Sequence, residues 1–228
     1  MIAGTPFARE CSFFEIAIEK LTLTRSISIQ SSVVSLAGCV SPRAEKHIKR
    51  QILKARPNIV VIQFGSTDAA VPIRNRLGRV GGTATKNSDS AITPIDLIKW
   101  QIKNIVSNLL FLKPVTPEAD YIDAISSMVK KSLSMNVTPI VLSPFGSSHS
   151  DRFSKAYSDR LKSVIHGLDG VFFVDAYNEL AKQPKSKILC QDGFHVSKFG
   201  HELIGNLLAT EIEKVILEKI ELNQKIGA

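Results

Sequence analysis

Apolar residues form two kinds of pattern along this chain. Two mostly apolar runs, at 59–64 and 138–143, are typical of strands buried in a parallel sheet, and a third run at 171–175 predicts the last strand. Residues 1–3 and 26–37 are shorter or richer in β-branched side chains and predict two further strands. The strand pattern therefore occurs about five times.

Helical periodicity separates these strands. It predicts helices at 12–21, 42–55, 94–112, 117–135 and 150–167, and a long final helix after the loop of Asp192 and His195. Ser12 is the predicted N-cap of the first helix, with Glu15 completing a capping box. One apolar stripe runs along the final helix, comprising Leu203, Leu207, Ile212, Val215, Ile216 and Ile220. Such a stripe is more often core than partner surface, although its length also suits a homodimer contact.

The alternation of strand and helix predicts an α/β fold, a doubly wound parallel sheet of about five strands with helices on both faces. We expect one domain over 1–228, with a polar, glycine-rich surface insertion near 74–93. Ligands of such sheets bind where loops leave the carboxyl ends of the strands. The loops at Gly4, Gly38, Gly65 and Asp192 are therefore expected to share one rim.

Composition narrows the class of protein. The hydrophobic fraction of 44% and the charged fraction of 22% are ordinary for a globular chain, and no apolar run approaches a membrane span. We therefore expect a soluble protein with no membrane partner. Cys11, Cys39 and Cys190 are widely spaced, which argues against a disulfide framework and a metal cluster. With no secretory signal visible, a cytoplasmic location is the working expectation.

The net charge of +8 raises the question of nucleic-acid binding. The basic residues are dispersed, however, and no zinc-finger or RNA-recognition signature accompanies them. One group lies on a predicted helix (Lys46, His47, Lys49, Arg50), another pair on a second helix (Lys130, Lys131), and a third group in a predicted loop (Lys182, Lys185, Lys187). Solvated faces explain this pattern best, attraction to an anionic ligand comes second, and no nucleic-acid partner is expected.

The most informative chemistry lies just before the final helix, where Asp192 precedes His195 by three residues. On a tight loop such a carboxylate accepts a hydrogen bond from one imidazole nitrogen and leaves the other as a general base. The same spacing also arises when an aspartate caps a helix. The pair therefore predicts an acid–base site only if a partner for the base exists elsewhere.

The order of the loops resembles that of the SGNH (GDSL) hydrolases. That family has a strand ending in Gly-Asp-Ser, a glycine loop, Gly-x-Asn-Asp, and Asp-x-x-His before the last helix. The counterparts here are the loop at Gly4, the loop at Gly38, Gly65-Ser66-Thr67-Asp68, and Asp192 with His195. The resemblance implies a three-layer α/β/α, flavodoxin-like fold and acyl-ester hydrolysis, with His195 as base and Asp192 as its orienting acid.

The first block departs from the family pattern. Gly4-Thr5-Pro6 stands where the family has Gly-Asp-Ser, so Pro6 occupies the place of the nucleophile. Proline has neither a hydroxyl to attack with nor a backbone N–H to lend to the oxyanion hole. Thr67 replaces the oxyanion asparagine, and Gly38 is displaced by one or two positions from the expected oxyanion glycine. The resemblance thus assigns Gly38, Gly65 and Thr67 to an oxyanion or pocket role within a weakened site.

Two functions remain open from the sequence. One is a non-catalytic or impaired descendant that keeps a pocket for a small acyl or carbohydrate ester. The other is an active hydrolase of small acyl or acetyl esters, which uses a substitute nucleophile or water activated by His195. The candidate substitutes are Thr5, Cys11 and Ser66. Neither function requires a metal or another cofactor.

Overall fold

The protein is built around a short parallel sheet. In a computed structural model, the residues described here are 12–25, 28–34, 38–71, 93–109, 113–146 and 151–226. They contain three strands in the spatial order β1 (Ile59–Gln63), β2 (Thr138–Leu142) and β3 (Phe172–Val174). Both pairings are parallel, with Ile59 opposite Thr138 and Ile140 opposite Phe172. The predicted α/β class is confirmed.

Helices account for most of the remaining described chain. They are α1 (Phe13–Arg25), α2 (Ser41–Glu45), α3 (Ile48–Ala55), α4 (Pro94–Leu109), α5 (Glu118–Leu133), α6 (Asp151–Ile165), α7 (Ala176–Ala181), α8 (Lys185–Ile188) and α9 (Lys198–Ile226). No helix in these described ranges is both long enough and apolar enough to span a bilayer.

Helices cover both faces of the sheet because alternate strand residues point in opposite directions. Ile140 and Leu142 pack with α1 and α9 on one face, whereas Val141 between them packs with α5 and α6 on the other. All three side chains are fully buried. This two-sided burial explains why the strand sequence is continuously apolar, and it produces the three-layer arrangement.

The contact between α1 and α9 depends on a glycine. A Cβ atom on Gly205 would lie 2.8 Å from the Phe13 carbonyl oxygen and 2.9 Å from Cβ of Ile16. Only glycine therefore allows the two helices to approach this closely. At the start of α1 the Ser12 hydroxyl accepts the backbone N–H of Glu15 at 3.4 Å, as expected for an N-cap.

The structure differs from the sequence expectations in its strands. Residues 28–34 form no strand, and the 1–3 segment lies outside the described residues. Ile29 and Val33 in the 28–34 segment are half-buried, but its polar residues and Val34 are exposed. A β-branched composition does not create a strand without a neighbouring strand to pair with. The sheet therefore has three strands in the described residues rather than about five.

The structure also corrects two helix predictions. The helix expected at 42–55 is divided by a turn at Lys46 and His47, where the His47 N–H returns to the Ala44 carbonyl at 2.9 Å. The loop expected around Lys185 and Lys187 is the one-turn helix α8. Both features are a few residues long, which is too short for a periodic pattern to reveal.

The stripe of the final helix is mainly core. Ile212 and Val215 are almost fully buried against β2, β3 and α1, whereas Ile220 is about half exposed. The homodimer expectation stays a prediction, as does the single domain over 1–228. Of the polar insertion near 74–93, only Thr93 lies within the described residues.

Candidate functional site

A tight loop between α8 and α9 carries Asp192 and His195. Leu189 and Val196 pair across its base in an antiparallel bridge. Above this bridge the Cys190 N–H donates to the His195 carbonyl at 2.8 Å, and the Gly193 N–H donates to the Cys190 carbonyl at 2.9 Å. Gly193 has a φ of +67°, a conformation that favours glycine. These bonds hold the loop between two helices.

Asp192 accepts three hydrogen bonds within this loop. Its Oδ1 receives the backbone N–H groups of Phe194 at 2.8 Å and His195 at 3.0 Å, and its Oδ2 lies 2.5 Å from Nδ1 of His195. Burial alone would raise the pKa of Asp192, but the bonds from His195 and from the two backbone amides lower it. An ionised carboxylate only accepts, so Nδ1 of His195 carries a proton.

The other ring nitrogen of His195 points away from the aspartate. No hydrogen bond joins Nε2 to a residue in the part of the chain that the structure describes, and about a third of the side chain is exposed. The ring of Phe194 packs edge-on against the imidazole at 5.2 Å. The structure thus brings Asp192 and His195 together in acid–base geometry, and their catalytic role stays a prediction.

The loop after β1 is built around a buried aspartate that sequence reasoning had not singled out. Oδ1 of Asp68 accepts the backbone N–H and the hydroxyl of Ser41 at 2.9 and 2.8 Å, and Oδ2 accepts the N–H of Gly65 at 3.1 Å. The carboxylate is fully buried. It therefore fastens the start of α2, just after the glycine loop at Gly38, to the loop that carries Thr67.

Gly65 occupies a position that no other residue fits. Its φ is +115°, and a Cβ there would lie 2.4 Å from Cβ of Pro144 after β2. Gly38 also has a positive φ, of +64°, but a Cβ there would meet nothing within 4 Å. The glycine of the β1 loop is thus required for packing, whereas Gly38 is exposed and only its backbone conformation is constrained.

The remaining predicted oxyanion or nucleophile residues are less defined. Thr67 is half-buried, and its carbonyl accepts the N–H of Ala70 at 3.2 Å. The Ser66 hydroxyl is buried and has no hydrogen-bond partner among the described residues, so no hydrogen bond joins it to His195. The oxyanion or pocket role of Gly38, Gly65 and Thr67 stays a prediction. Gly4, Thr5, Pro6 and Cys11 lie outside the described residues.

A cavity of about 1070 Å³ extends to the loop after β1. Its walls come from β1, α3 and the 28–34 segment, together with parts of α1 and α9, and it includes Gly65, Ser66 and Thr67. Most of the wall is apolar. Gln63 lines the cavity, but both polar atoms of its side chain are buried and lack a hydrogen-bond partner. The cavity thus combines apolar walls with a few polar groups, which is typical of small-molecule sites.

A second histidine, His201, is structural. It lies on α9 and is 4% exposed, and its Nδ1 accepts the Phe13 N–H at 3.3 Å while its ring stacks on that of Phe13. Burial of the imidazole lowers the pKa of His201 to about 4. The neutral ring therefore connects α9 to the start of α1. Within the described ranges, no group of three or more His, Cys, Asp or Glu side chains has metal-binding geometry.

Comparison with solved structures shows the fold. The chain is similar to the psychrotrophic esterase EstA from Pseudoalteromonas sp., with 15% identity, a TM-score of 0.61, and coverage of 94% of this chain and 92% of that one. It is also similar to TesA, with 12% identity, a TM-score of 0.64 and coverage of 94% of both chains. No protein-family model and no curated protein matches the sequence.

A third similar structure is the acetylxylan esterase Axe2 from Geobacillus stearothermophilus. The identity is 17% and the TM-score 0.61, over 88% of this chain and 80% of that one. The Axe2 structures are of catalytic mutants in which alanine replaces a serine, an aspartate, or a histidine three positions after that aspartate. Together with the similarity to a putative lipolytic protein of the G-D-S-L family from Desulfitobacterium hafniense DCB-2, with 16% identity and a TM-score of 0.60 over 92% of this chain and 93% of that one, these similarities show the fold of the GDSL hydrolases.

Proposed function

We propose that this chain is an SGNH-hydrolase-like protein that keeps the acid–base pair of an acyl-ester hydrolase but is catalytically impaired. The observation that carries the proposal is the contact between Asp192 Oδ2 and His195 Nδ1 at 2.5 Å, on a loop that immediately precedes the last helix. The same spacing of aspartate and histidine occurs at the mutated catalytic positions of Axe2, which shares the fold.

This pair has a defined chemical capacity. The carboxylate holds a proton on Nδ1 and stabilises the imidazolium, so Nε2 is prepared to take a proton from a hydroxyl. A serine hydrolase then needs that hydroxyl in the first loop. Pro6 stands at its place and supplies none. Because the groups of a triad act as a unit, the loss of the serine lowers turnover by about a millionfold.

The cavity beside Gly65 supports a remaining ligand-binding role. Its mainly apolar wall suits an acyl chain, and the polar residues that also line it suit a polar group of the ligand. A small acyl or carbohydrate ester is the class of ligand that this combination fits. No cofactor takes part in the proposal.

The alternative is an active ester hydrolase in which His195 activates water or a substitute nucleophile. The observation that favours it is the exposure of about a third of the His195 side chain, together with the absence of a described protein partner on Nε2. Water can therefore reach the base. Ser66 is a weaker candidate than water for activation by His195, because its hydroxyl is buried and makes no hydrogen bond to the imidazole.

Four proteins distinguish these functions in one assay of short-chain nitrophenyl esters. They are the natural chain, His195→Ala, the double variant Thr5→Asp with Pro6→Ser, and that double variant combined with His195→Ala. We expect the first two to hydrolyse the esters equally slowly. The double variant should gain activity, and the added His195→Ala should remove the gain.

A different result would decide for the alternative. If the natural chain hydrolyses the esters and His195→Ala abolishes that activity, the protein is an active hydrolase and the impairment is refuted. If the double variant gains no esterase activity although circular dichroism shows that it is folded, the assignment of Pro6 to the nucleophile position beside His195 is wrong.

A further inference from the structure

The outward face of α3 carries a concentrated positive charge. Lys49, Arg50 and Lys54 recur at the spacing of one helix face and are exposed, and Lys46 immediately before the helix is exposed as well. The opposite face holds Ile52, which is 4% exposed and packs inward. We call Lys46, Lys49, Arg50, Leu53 and Lys54 the basic face.

Among the described residues, no carboxylate forms an ion pair with these four cations, although the charge of Lys46 also acts on Glu45. Glu45 is the one acidic residue between Ser41 and Arg56. Its side chain points toward α5. There its carboxylate accepts hydrogen bonds from Lys131 and, at 2.7 Å, from Ser127, and these bonds lower the pKa of Glu45. No carboxylate among the described residues lies within ion-pairing distance of the four cations.

A large apolar side chain lies among the cations. Leu53 follows Lys49 by four residues and Arg50 by three, and 64% of its surface is exposed. On an anionic lipid surface, cations contact the headgroups and a neighbouring exposed apolar side chain can insert below them. Surfaces for single-stranded nucleic acid combine cations with aromatic stacking groups, and the basic face has no aromatic residue.

We propose that the basic face of α3 docks on the surface of an anionic lipid bilayer. Four cations and one apolar side chain match a negatively charged interface, and the net charge of +8 favours the same partner. The sequence expectation of no membrane partner depended on the lack of a spanning segment, and a peripheral contact requires none. This inference does not depend on the proposed function, since neither Asp192 nor His195 takes part.

Co-sedimentation of the full chain with lipid vesicles tests the proposal. The vesicles are phosphatidylcholine alone or phosphatidylcholine with about 30% phosphatidylserine, at low salt and near 1 M salt, where the screening length falls to about 3 Å. We expect binding to the anionic vesicles alone and its loss at high salt.

Matched variants locate the surface. Replacing Lys49, Arg50 and Lys54 by glutamine should weaken vesicle binding about a hundredfold, because each cation near the surface contributes about a factor of five. The control triple variant carries Lys113→Gln, Arg160→Gln and Lys187→Gln, which remove the same charge from other exposed positions. It should bind within about threefold of the natural chain. Leu53→Ser should weaken binding by about tenfold.

Four outcomes would overturn the proposal, the last of which assigns the face to nucleic acid. One is no binding to anionic vesicles, the second is equal loss in the two triple variants, and the third is binding unchanged by Leu53→Ser. If a short DNA duplex binds more tightly than the vesicles and the α3 triple variant abolishes that binding, the face serves nucleic acid instead. Vesicle binding by His195→Ala should equal that of the natural chain. Failure of the lipid-binding proposal can therefore be distinguished from failure of the proposed function, which the esterase assay tests.

Discussion

Two loops of this protein are each organised around an aspartate that accepts three hydrogen bonds, yet the two aspartates serve different ends. Asp68 is fully buried and joins the β1 loop to α2 across 27 residues of sequence. Asp192 is partly exposed, and among the described residues it binds only its own loop, where its partner is the imidazole of His195. Both carboxylates satisfy backbone amides.

The two loops differ in what would happen to the hydrogen-bond donors if the aspartate were removed. The donors to Asp68 are buried and would lose their hydrogen bonds altogether, which costs about 1–3 kcal/mol for each. The donors around Asp192 lie on an exposed loop, where water can replace the carboxylate. We therefore expect Asp68 to determine stability and Asp192 to determine the protonation geometry of His195.

The largest expected effect is that of Asp68→Ala. Removal of the carboxylate leaves the N–H and hydroxyl of Ser41 and the N–H of Gly65 without acceptors. The free energy of unfolding should fall by about 3–5 kcal/mol in urea denaturation. Asp169→Ala, at an exposed position, is the control and should change it by less than about 0.5 kcal/mol. A small effect at Asp68 would remove the distinction between the two loops.

The next largest effect is expected at Gly65, whose backbone N–H donates a hydrogen bond to Asp68. Gly65→Ala adds a methyl group 2.4 Å from Cβ of Pro144 at a φ of +115°, and should destabilise the fold by about 3 kcal/mol. Gly38→Ala is the matched control, because it has a positive φ but open space, and should cost about 1 kcal/mol. Equal losses, measured by the same denaturation, would mean that packing against Pro144 contributes nothing.

The third prediction concerns His201, which is buried where α1 packs against α9. Because the pKa of His201 is about 4 in the folded chain and 6.5 without burial, the unfolded state binds more protons between these values. Stability should therefore be complete above pH 6.5 and fall by about 3 kcal/mol as the pH decreases to 4.

Unfolding titrations at a series of pH values measure this loss. His201→Asn should be less stable than the natural chain at neutral pH, but it should lose less stability on acidification. A slope that persists unchanged in this variant would assign the pH dependence to other groups.

The smallest effect on stability is expected for Asp192→Ala, at less than about 1 kcal/mol, because the carboxylate is partly exposed. The imidazole should respond more strongly. With the acceptor of Nδ1–H removed, the population of the two neutral tautomers should change, and nitrogen NMR of His195 measures that population. If the tautomer stays the same, another group orients the ring. If stability falls as in Asp68→Ala, the loop has a structural role.

Much of the fold could be predicted because burial leaves a direct pattern in the sequence. The apolar runs at 59–64 and 138–143 predicted β1 and β2 almost to the residue, since both faces of these strands are covered. The prediction at 26–37 was wrong over 28–34 because propensity alone does not provide a pairing partner. The short helices α7 and α8 were missed because they contain fewer than two turns.

The candidate site was only partly visible in the sequence. The three-residue spacing of Asp192 and His195 was sufficient to predict their contact, because a tight loop brings such residues together. Asp68 had been noted as the last residue of a four-residue motif, but its partner Ser41 is 27 positions away. No local pattern indicates such a partner. His201 likewise contacts Phe13 across 188 positions.

The sequence by itself determined the alternation of strands and helices, the acid–base spacing and the replacement at Pro6, because each follows from local pattern or residue chemistry. Only the tertiary structure decided that Asp68 is buried and joins two loops, that His201 is a structural histidine, and that the cations beside Leu53 form no ion pair with a described carboxylate. These properties depend on which distant groups come within hydrogen-bonding or ion-pairing distance. That proximity arises when helices pack on both faces of the sheet.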